Sequence, residues 1–515
     1  VLDFHVRESD SPNHLVRTSP ILTIPSKPTG PCGDPIDKNG PTWGRNAFTF
    51  SFRNLYQRAG ERYCYRDCHH NRYVALMQRV VVPAWQSHVL YENYKTKPDF
   101  NRLWRCFSAF FDRQIAFVGV VTSWTPERVL SCYSGSQRTA YALAYKLGLK
   151  YRKHGETKPF VKTEGYCLIL KPDPYNKGVP RLIQATPIDS RAVMATFIKP
   201  LCEISQDFRD GQTYRWLGSG LDQHQAAKLL IAKFSRFECP VGISFDFRRY
   251  DAHKTKRSKQ IRTVKYCQMT RDEEVIEQMH KEQVCTGKLG WKDGYYRIEG
   301  RTESGRQDTS KGNSDEAQAM FDAVYETLSK ETLVNGEDVI LVVEQKHLKT
   351  VTDFVHKFNA FGHVVKIVGI SQDPYHLDWC QSRIDPLSKR WLRKPSKVLD
   401  TLFSSVHFGQ SDTYERLLAT ATGELSLNAG TPAALVCQTW IDKLSGYKPS
   451  KLEQQYRIRK NLFKAAGPAQ CDLSWYHEFS GLEPSIWGEV SDRLRASQLP
   501  PVEVVDQVPW SYYIE

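Results

Sequence analysis

Apolar positions along the chain switch between two periods. Strand-like runs of β-branched and aromatic residues occur at "VGISFDFRRYDAH" (241–253), "VNGEDVILVVE" (334–344) and "HVVKIVGI" (363–370). Helical spacing recurs at about 188–207, 222–237, 271–285 and 348–362. "TPERVLSCYSGSQRTAYALAYKLGL" (125–149) predicts two helices broken at Ser134 and Gly135, with Thr125 as N-cap and Pro126 at the first helical position. Between about 70 and 130, strand-like and aromatic segments alternate, and "RVVVPAW" (79–85) and "IAFVGVV" (115–121) have strand length. Residues 1 to about 45 are rich in Pro, Gly, Ser and Asp and predict an extended arm. The last 120 residues are mostly helical and end in an aromatic tail, "VPWSYYIE".

The elements around "VNGEDVILVVE" run strand, helix, helix, strand-turn-strand, helix, strand. That order predicts an α+β unit with an antiparallel sheet and helices on one face. Asn335 and Gly336 mark a tight turn, and Glu337 and Asp338 sit in it. The plain reading of acids at a turn is solvation. Their weight depends on what the rest of the chain supplies.

Composition changes the picture in two ways. With 515 residues and 40% hydrophobic content, the chain is long enough for several domains or one large multi-lobed enzyme. Lys and Arg number 71 against 57 Asp and Glu, a surplus of +14 that suits a polyanion, nucleic acid before membrane. No apolar run approaches the ~20 residues of a membrane helix. The 13 cysteines are scattered, which fits reduced thiols in a cytosolic setting. "CYRDCHH" places Cys64, Cys68, His69 and His70 together, a zinc candidate with no second ligand pair at finger spacing. The chain starts at Val1, which leaves a fragment, a processed product or the downstream part of a longer product open.

Phosphoryl transfer by two metals needs carboxylates on at least two backbone elements, with the ions ~3.5–4 Å apart. Asp246, at a strand end, and the turn acids Glu337 and Asp338 supply both parts; Asp251 lies five residues beyond Asp246. In "KPFVKTEGYCLILKPDPYNKGVPRLIQA" (158–185), strand-like runs alternate with Lys158, Lys162, Lys171, Lys177 and Arg181, as a phosphate-lined channel would require.

These residues carry a resemblance. "DFRRYDAH" resembles motif A of viral RNA-dependent RNA polymerases, "SGRQDTSKGN" (304–313) resembles motif B, and "GED" (336–338) stands where motif C usually reads Gly-Asp-Asp. "YSGSQRTAY", "FVKTE", "KPDPYNKGVPRLIQ", "FIKPLCEI" and "LDWCQ" narrow it to the polymerases of tombusviruses and their relatives, over roughly 125–395.

The resemblance implies a right-hand polymerase fold: an antiparallel palm sheet flanked by helices, fingers, and a helical thumb. Fingers would come from 111–240 and 255–295, the palm from 241–254 and 296–390, and the thumb and tail from 391–515. Residues 1–110 would be an extension bridging fingers and thumb. Asp246, Glu337 and Asp338 would hold Mg²⁺ or Mn²⁺. Asp251 and Asn313 would check the ribose 2′-hydroxyl, with Ser304, Gly305 and Thr309 beside the incoming nucleotide. Lys162, Lys171 and Arg181 would grip the triphosphate, and Lys366 would protonate the leaving pyrophosphate. "LDWCQ" would support the primer end, and Arg393 and Lys394 would touch product backbone. The partners implied are template and product RNA, NTPs, other viral replication proteins and host membrane factors. The implied setting is a membrane-associated replication complex in the host cytoplasm, attached through another segment or partner.

Two departures stand out. Glu337 replaces the usual Asp of motif C and extends the carboxylate by ~1 Å, a displacement that can cost ~10²-fold in rate. Asp308 stands where relatives often have Asn and would bring a negative charge near the triphosphate path. Thr302 occupies the place of an arginine, and Arg301 is one residue early. Two readings remain: an active polymerase, or a non-catalytic RNA-binding replication protein on the same scaffold. A reverse transcriptase is the weaker enzymatic rival, because Asp251 with Asn313 argues for ribose selection.

Overall fold

A computed structural model describes residues 99–147, 156–162, 181–292, 294–408, 413–449 and 469–498. It also describes shorter stretches at 21–23, 47–51, 62–65, 69–77, 80, 166–167, 503–505 and 507–508. Lys171, Lys177 and Cys68 lie outside the described residues.

The amino-terminal half runs β1 (Ile21–Thr23), β2 (Ala47–Ser51), β3 (Arg62–Tyr65), α1 (His69–Leu76), α2 (Phe100–Val118), α3 (Pro126–Ser131) and α4 (Gly135–Leu147). It continues through β4 (Glu156–Val161), β5 (Tyr166–Cys167), β6 (Leu182–Ala185), α5 (Ile188–Ile204) and α6 (Gln223–Phe234). The centre holds β7 (Pro240–Phe247), α7 (Tyr250–His253), α8 (Lys256–Gln268), α9 (Glu273–Lys281), β8 (Val284–Lys288), β9 (Tyr295–Glu299) and α10 (Thr309–Val324). Then come β10 (Glu331–Asn335), β11 (Asp338–Glu344), α11 (Leu348–Phe354), β12 (Val365–Ser371), β13 (Ser382–Ile384) and β14 (Trp391–Arg393). The remainder is largely helical: α12 (Pro395–Phe403), α13 (Thr413–Asn428), α14 (Pro432–Lys443), α15 (Leu473–Ser480) and α16 (Ile486–Ala496), with strands β15 (Ser404–Phe408), β16 (Glu503–Val505) and β17 (Gln507–Val508). The mixed α+β class expected from the sequence is what folds.

The central sheet has the order β10-β11-β7-β12, all neighbours antiparallel. Its inner strands are buried on both faces, which corrects the expectation of helices on one face. Val339, Leu341 and Val343 point into a core with Phe321 of α10 and Phe107 and Phe111 of α2. Ile340 and Val342 point the other way, against Leu230 and Phe234 of α6, Trp379 and Trp391. Burial on both faces is why β11 reads as an unbroken apolar run rather than an alternation. Each fully buried aliphatic or aromatic side chain here contributes about 1.5–3 kcal/mol. Phe245 meets Phe321 edge to face, with ring centroids 4.9 Å apart, so motif A strand and motif B helix share one core.

The strand-like reading is also corrected over 100–118, while 81–98, with most of "RVVVPAW", lie outside the described residues. Residues 100–118 form a single helix, capped by Asp99, whose carboxylate accepts from Arg102 N at 3.0 Å, and ended by Gly119 at φ +65°. Its buried residues Leu103, Trp104, Phe107, Phe110 and Phe111 recur every three or four positions. The aromatic content masked that period. "IAFVGVV" is therefore the end of a helix and the loop after it. The same helix runs through residue 110 without a break.

Two helices fall between Asp246 and the expected helix at 271–285, which is shorter (Glu273–Lys281). The long one, α8, is rich in Lys and Arg, yet Lys259 and Arg262 are buried. Its apolar stripe is replaced by paired charges, so periodicity could not reveal it. By contrast, α3 and α4 match the expected break, with Thr125 accepting from Arg128 N and Pro126 in the first turn.

Beyond the central sheet, β1-β9-β8-β4-β6 form a second sheet, and β2 lies between β15 and β16. Short segments of the first 51 residues therefore pair both with β9 and with carboxy-terminal strands. Helices α12 to α16 enclose a separate core around Trp440, Trp475 and Trp487. Among the described residues no helix is long and apolar enough to cross a membrane.

Behind β7, the His253 and His363 rings lie 6.2 Å apart among Phe247 and Tyr250. Burial holds His253 down to about 4 and His363 well below its usual value. The unfolded chain, with imidazoles near 6.5, binds protons more readily than the native state. Their contribution to stability is thus present above pH ~6.5 and lost as pH falls towards 4, on the order of 3 kcal/mol for His253 alone. Urea unfolding midpoints from pH 7.5 to 4.5 should fall more steeply for the parent than for His253→Asn/His363→Asn. Parallel slopes would show that these rings do not carry the acid sensitivity.

Candidate active site

The hairpin that carries the turn acids is shaped by its sequence. Asn335 pairs with Asp338, so Gly336 and Glu337 form a two-residue loop. Gly336 adopts φ +63°, the sign a tight hairpin needs at its first loop residue and one that glycine adopts without strain. Three contacts pin the turn. Gly336 N donates to Ser314 Oγ on α10 at 2.8 Å, Trp379 Nε1 donates to the Asp338 carbonyl at 3.0 Å, and Asn335 Nδ2 reaches Cys380 Sγ at 3.6 Å. Trp379 lies so close to Gly218 that a Cβ there would collide with its ring.

Asp246 sits near the end of β7, adjacent to both β11 and β12. On one side Phe245 pairs with Val339, which brings Asp338 alongside. On the other, Asp246 is the register partner of Lys366. The electrostatics follow this placement. Surrounding protein pushes the Asp246 carboxyl up, opposed by Lys366 and Arg248. Burial pushes Asp338 up, the Cys380 thiol that donates to it draws it back, and Asp246 pushes it further. Glu337 is pushed up to about 7 by burial, then by Asp251 and Asp338, with Arg181 opposing.

Asp251 is the second residue of the short helix α7. Asn313 Nδ2 donates to its Oδ1 at 3.0 Å, and Tyr250 OH donates to the Asn313 carbonyl at 3.0 Å. The Asn313 Oδ1 atom is buried without a hydrogen-bond partner, which leaves an acceptor beside Asp251. Burial pushes Asp251 up, and Lys254, Asn313 and Arg181 oppose it. Arg181 thus acts on both Asp251 and Glu337, which joins the basic strip to the acids.

The loop before α10 is pinned to β6. Ser304 Oγ accepts from Gln184 N at 3.4 Å, Thr186 Oγ1 donates to the Gly305 carbonyl at 2.9 Å, and Thr309 Oγ1 donates to the Glu303 carbonyl at 2.8 Å. A Cβ on Gly305 would lie 2.6 Å from the Gln184 carbonyl oxygen, so the close approach requires glycine. Lys162 meets Arg181 through the backbone, its N–H donating to the Arg181 carbonyl at 2.7 Å.

The expectation for Asp308 is corrected. Asp308 does not project a free charge: it is buried, with Arg262 Nη2 at 3.0 Å and Arg306 Nε at 2.9 Å, and these cations hold its carboxyl low against the cost of burial. Arg301 is buried and donates to the Lys254 carbonyl at 2.8 Å. Arg393 forms an ion pair with Glu424 at 2.5 Å. His69 packs against Trp291 at 5.2 Å.

The donor chemistry fits a hard divalent cation: oxygen ligands on adjoining strands, each carboxyl raised partly by a neighbouring acid or by burial that a cation would offset. The acids are not drawn into one cluster, however. Among the described residues no group of three or more His, Cys, Asp or Glu side chains is spaced to hold a metal ion. Asp338 is coupled to Asp246, whereas the strongest charge acting on Glu337 is Asp251.

With this geometry in view, a profile described as viral RNA dependent RNA polymerase matches residues 56–498. The chain belongs to that family. It is 26% identical over 394 residues to the RNA-directed RNA polymerase of Groundnut rosette virus (strain MC1), covering 73% of this chain and 44% of the relative. It is 25% identical over 351 residues to that of Oat chlorotic stunt virus, covering 65% and 45%. Against the enzyme of Tobacco necrosis virus (strain A) it is 25% identical over 375 residues, covering 69% and 49%. The chain therefore spans a little under half the length of these curated relatives. The family and the tombusvirus-like kinship expected from the motifs both hold.

Sequence reasoning passed over Ser314, Trp379 and Cys380 as supports of the acid turn, and Lys254 and Arg262 as buried cations behind motif B. Trp379 and Cys380 were visible only as part of "LDWCQ". Their contacts with residues some 40 positions earlier depend on tertiary packing.

Proposed function

We propose that this chain is the polymerising part of a viral RNA-dependent RNA polymerase, which joins NTPs on an RNA template. The observation that carries the proposal is the placement of Asp246 and Asp338 side by side on paired strands, with Glu337 between Asp338 and the hydrogen-bonded Asp251–Asn313 pair in its electrostatics. The right-hand assignment accompanies it: palm from 241–254 and 296–390, fingers from 111–240 and 255–295, thumb from 391 onward. The pairing of β1 with β9 and of β2 with β15 supports a bridging role for the first 110 residues.

In this reading Asp246, Asp338 and Glu337 would hold Mg²⁺ or Mn²⁺. Such ions lower the pKa of the growing 3′-hydroxyl and neutralise charge on the triphosphate. Arg181 and Lys162 orient the triphosphate, together with Lys171. Lys366, the strand partner of Asp246, would give a proton to the departing pyrophosphate. Asp251 and Asn313 receive the ribose: the free Asn313 Oδ1 accepts the 2′-hydroxyl proton, and its Nδ2 holds Asp251 in place. RNA would lie along the basic channel, with replication at host membranes organised through other segments or partners.

The test is incorporation of radiolabelled NTPs that requires both a single-stranded RNA template and a divalent ion. Discrimination gives a finer prediction. Asp251→Asn should lower the preference for NTPs over dNTPs by roughly tenfold or more, since one buried charged partner of the sugar contributes about 1.5–3 kcal/mol. Unchanged discrimination would remove Asp251 from sugar selection.

A second reading keeps the RNA-binding channel and drops the chemistry. It is favoured by the coupling of Glu337 to Asp251 and by the absence of a three-ligand cluster among the described residues. Binding of RNA with steep salt dependence and no incorporation would identify it.

A further inference from the structure

The buried cations around α8 and the loop before α10 are matched by carboxylates. Lys254 Nζ lies 3.1 Å from Glu316, and Lys259 Nζ 3.8 Å from Glu303. Arg262 reaches Glu316 at 2.7 Å and Asp308 at 3.0 Å, and Arg306 Nε lies 2.9 Å from Asp308. Arg301 stands apart. It is 2% exposed, yet among the described residues it forms no ion pair with a carboxylate. Nη1 donates to the Lys254 carbonyl at 2.8 Å, while Nε and Nη2 are buried without a hydrogen-bond partner. Burial draws the guanidinium down to about 10, and only the Cys285 thiol opposes it. An arginine keeps its proton in a protein, so this side chain cannot escape the cost of burial by becoming neutral. A buried ion without a counter-charge is among the costliest features a fold can carry.

The surroundings offer further donors. Thr302 Oγ1, next in the chain, is buried and has no hydrogen-bond partner. The charge of Arg301 acts on the buried rings of His253 and His363, and His363 Nδ1 also lacks a partner. That ring can carry its proton on Nδ1 and donate from there. Three segments meet here. They are the loop before α10, the end of α7, where Lys254 accepts from Arg301, and the turn before β12, where Gly362 lies against the His253 carbonyl. Arg301, Thr302, His253 and His363 are each no more than 4% exposed. A place so enclosed suits a single small ion and excludes a nucleotide or an organic acid. A water molecule would satisfy the N–H groups but leave the charge.

We propose that Arg301 holds a small inorganic anion of the halide class, chloride foremost, through its Nε–H and Nη2–H groups, with Thr302 Oγ1 and His363 Nδ1 as further donors. The anion neutralises the guanidinium. It also joins the segments that lead to Asn313, Asp251 and Lys366.

The experiment is thermal melting of the full chain while chloride replaces gluconate, an anion too bulky for the site, at constant ionic strength. The parent's midpoint should rise by roughly 1–3 °C, following the logarithm of chloride concentration once the site begins to fill. Arg301→Met keeps the bulk of the side chain without its charge, and should lose that response. Crystals of the parent grown in bromide supply a reading that needs no variant: an anomalous peak is expected within hydrogen-bond reach of Arg301 Nε and Nη2. Identical melting of the parent in chloride and gluconate, an equal chloride response in Arg301→Met, or no bromide beside Arg301 would overturn the proposal. Neither measurement involves RNA or NTPs, so the outcome is separate from that of the polymerase reading.

Discussion

Replacing Glu337 by Asp is expected to raise Mg²⁺-dependent incorporation, by as much as ~10²-fold, the penalty attached to a ~1 Å misplacement of a reacting or ligating group. Glu337 keeps the charge of the usual motif C residue but carries one more methylene. Its carboxyl, pushed up to about 7, answers to burial first, to Asp251 second and to Asp338 third, while Asp338 is the group coupled to Asp246. A shorter side chain is expected to weaken the repulsion from Asp251 and to favour a carboxylate nearer the pair on β7 and β11. The change should be larger with Mg²⁺, which demands near-ideal octahedral geometry, than with Mn²⁺. Rates of the parent and Glu337→Asp in each ion measure it. A variant slower than the parent in both ions would mean that the cleft is fitted to glutamate.

Arg262→Ala is expected to be the most destabilising single change near the site, by about 3–5 kcal/mol, the cost of removing one partner from a buried ion pair. Arg262 is almost fully buried and bridges Glu316 at 2.7 Å and Asp308 at 3.0 Å. It also fills the space beside Gly312, where a Cβ would overlap its guanidinium. Lys254, 3.1 Å from Glu316, and Arg306, 2.9 Å from Asp308, would remain but could not replace the bridge. Since α10 carries Asn313 and Ser314, the loss should reach both the Asp251–Asn313 pair and the acid turn. Urea unfolding of the parent, Arg262→Ala and Arg262→Lys tests this, with the lysine variant intermediate because it keeps the charge but not the fork. A loss below about 1 kcal/mol in Arg262→Ala would show that the neighbouring cations carry the network.

What the sequence disclosed and what it hid have distinct physical causes. The β10–β11 hairpin was legible because a glycine turn interrupts an apolar run, and α3 and α4 because Thr125, Pro126 and Gly135 punctuate them. The acids Asp246, Asp251, Glu337 and Asp338 were legible as a family pattern, and the neighbourhood of Asp246 and Asp338 follows from strand register. Helix α8 was hidden because Lys259 and Arg262 occupy positions that periodicity assigns to solvent. Helix α2 was hidden because Trp104, Phe107, Phe110 and Phe111 favour strands in isolation, and tertiary packing overrides that preference. Asp308 was misjudged because its compensating cations, Arg262 and Arg306, announce themselves only in three dimensions.

The central claim is that Asp246 and Asp338 form the metal-binding heart of a polymerase. The most direct test is incorporation of a radiolabelled nucleotide on a single-stranded RNA template by the parent and by Asp246→Ala, each with Mg²⁺ and with Mn²⁺. The account predicts template-dependent product from the parent and a loss on the order of 10²–10³-fold in Asp246→Ala with either ion, the scale of removing a preorganised electrostatic group. Equal synthesis by the two proteins would contradict it.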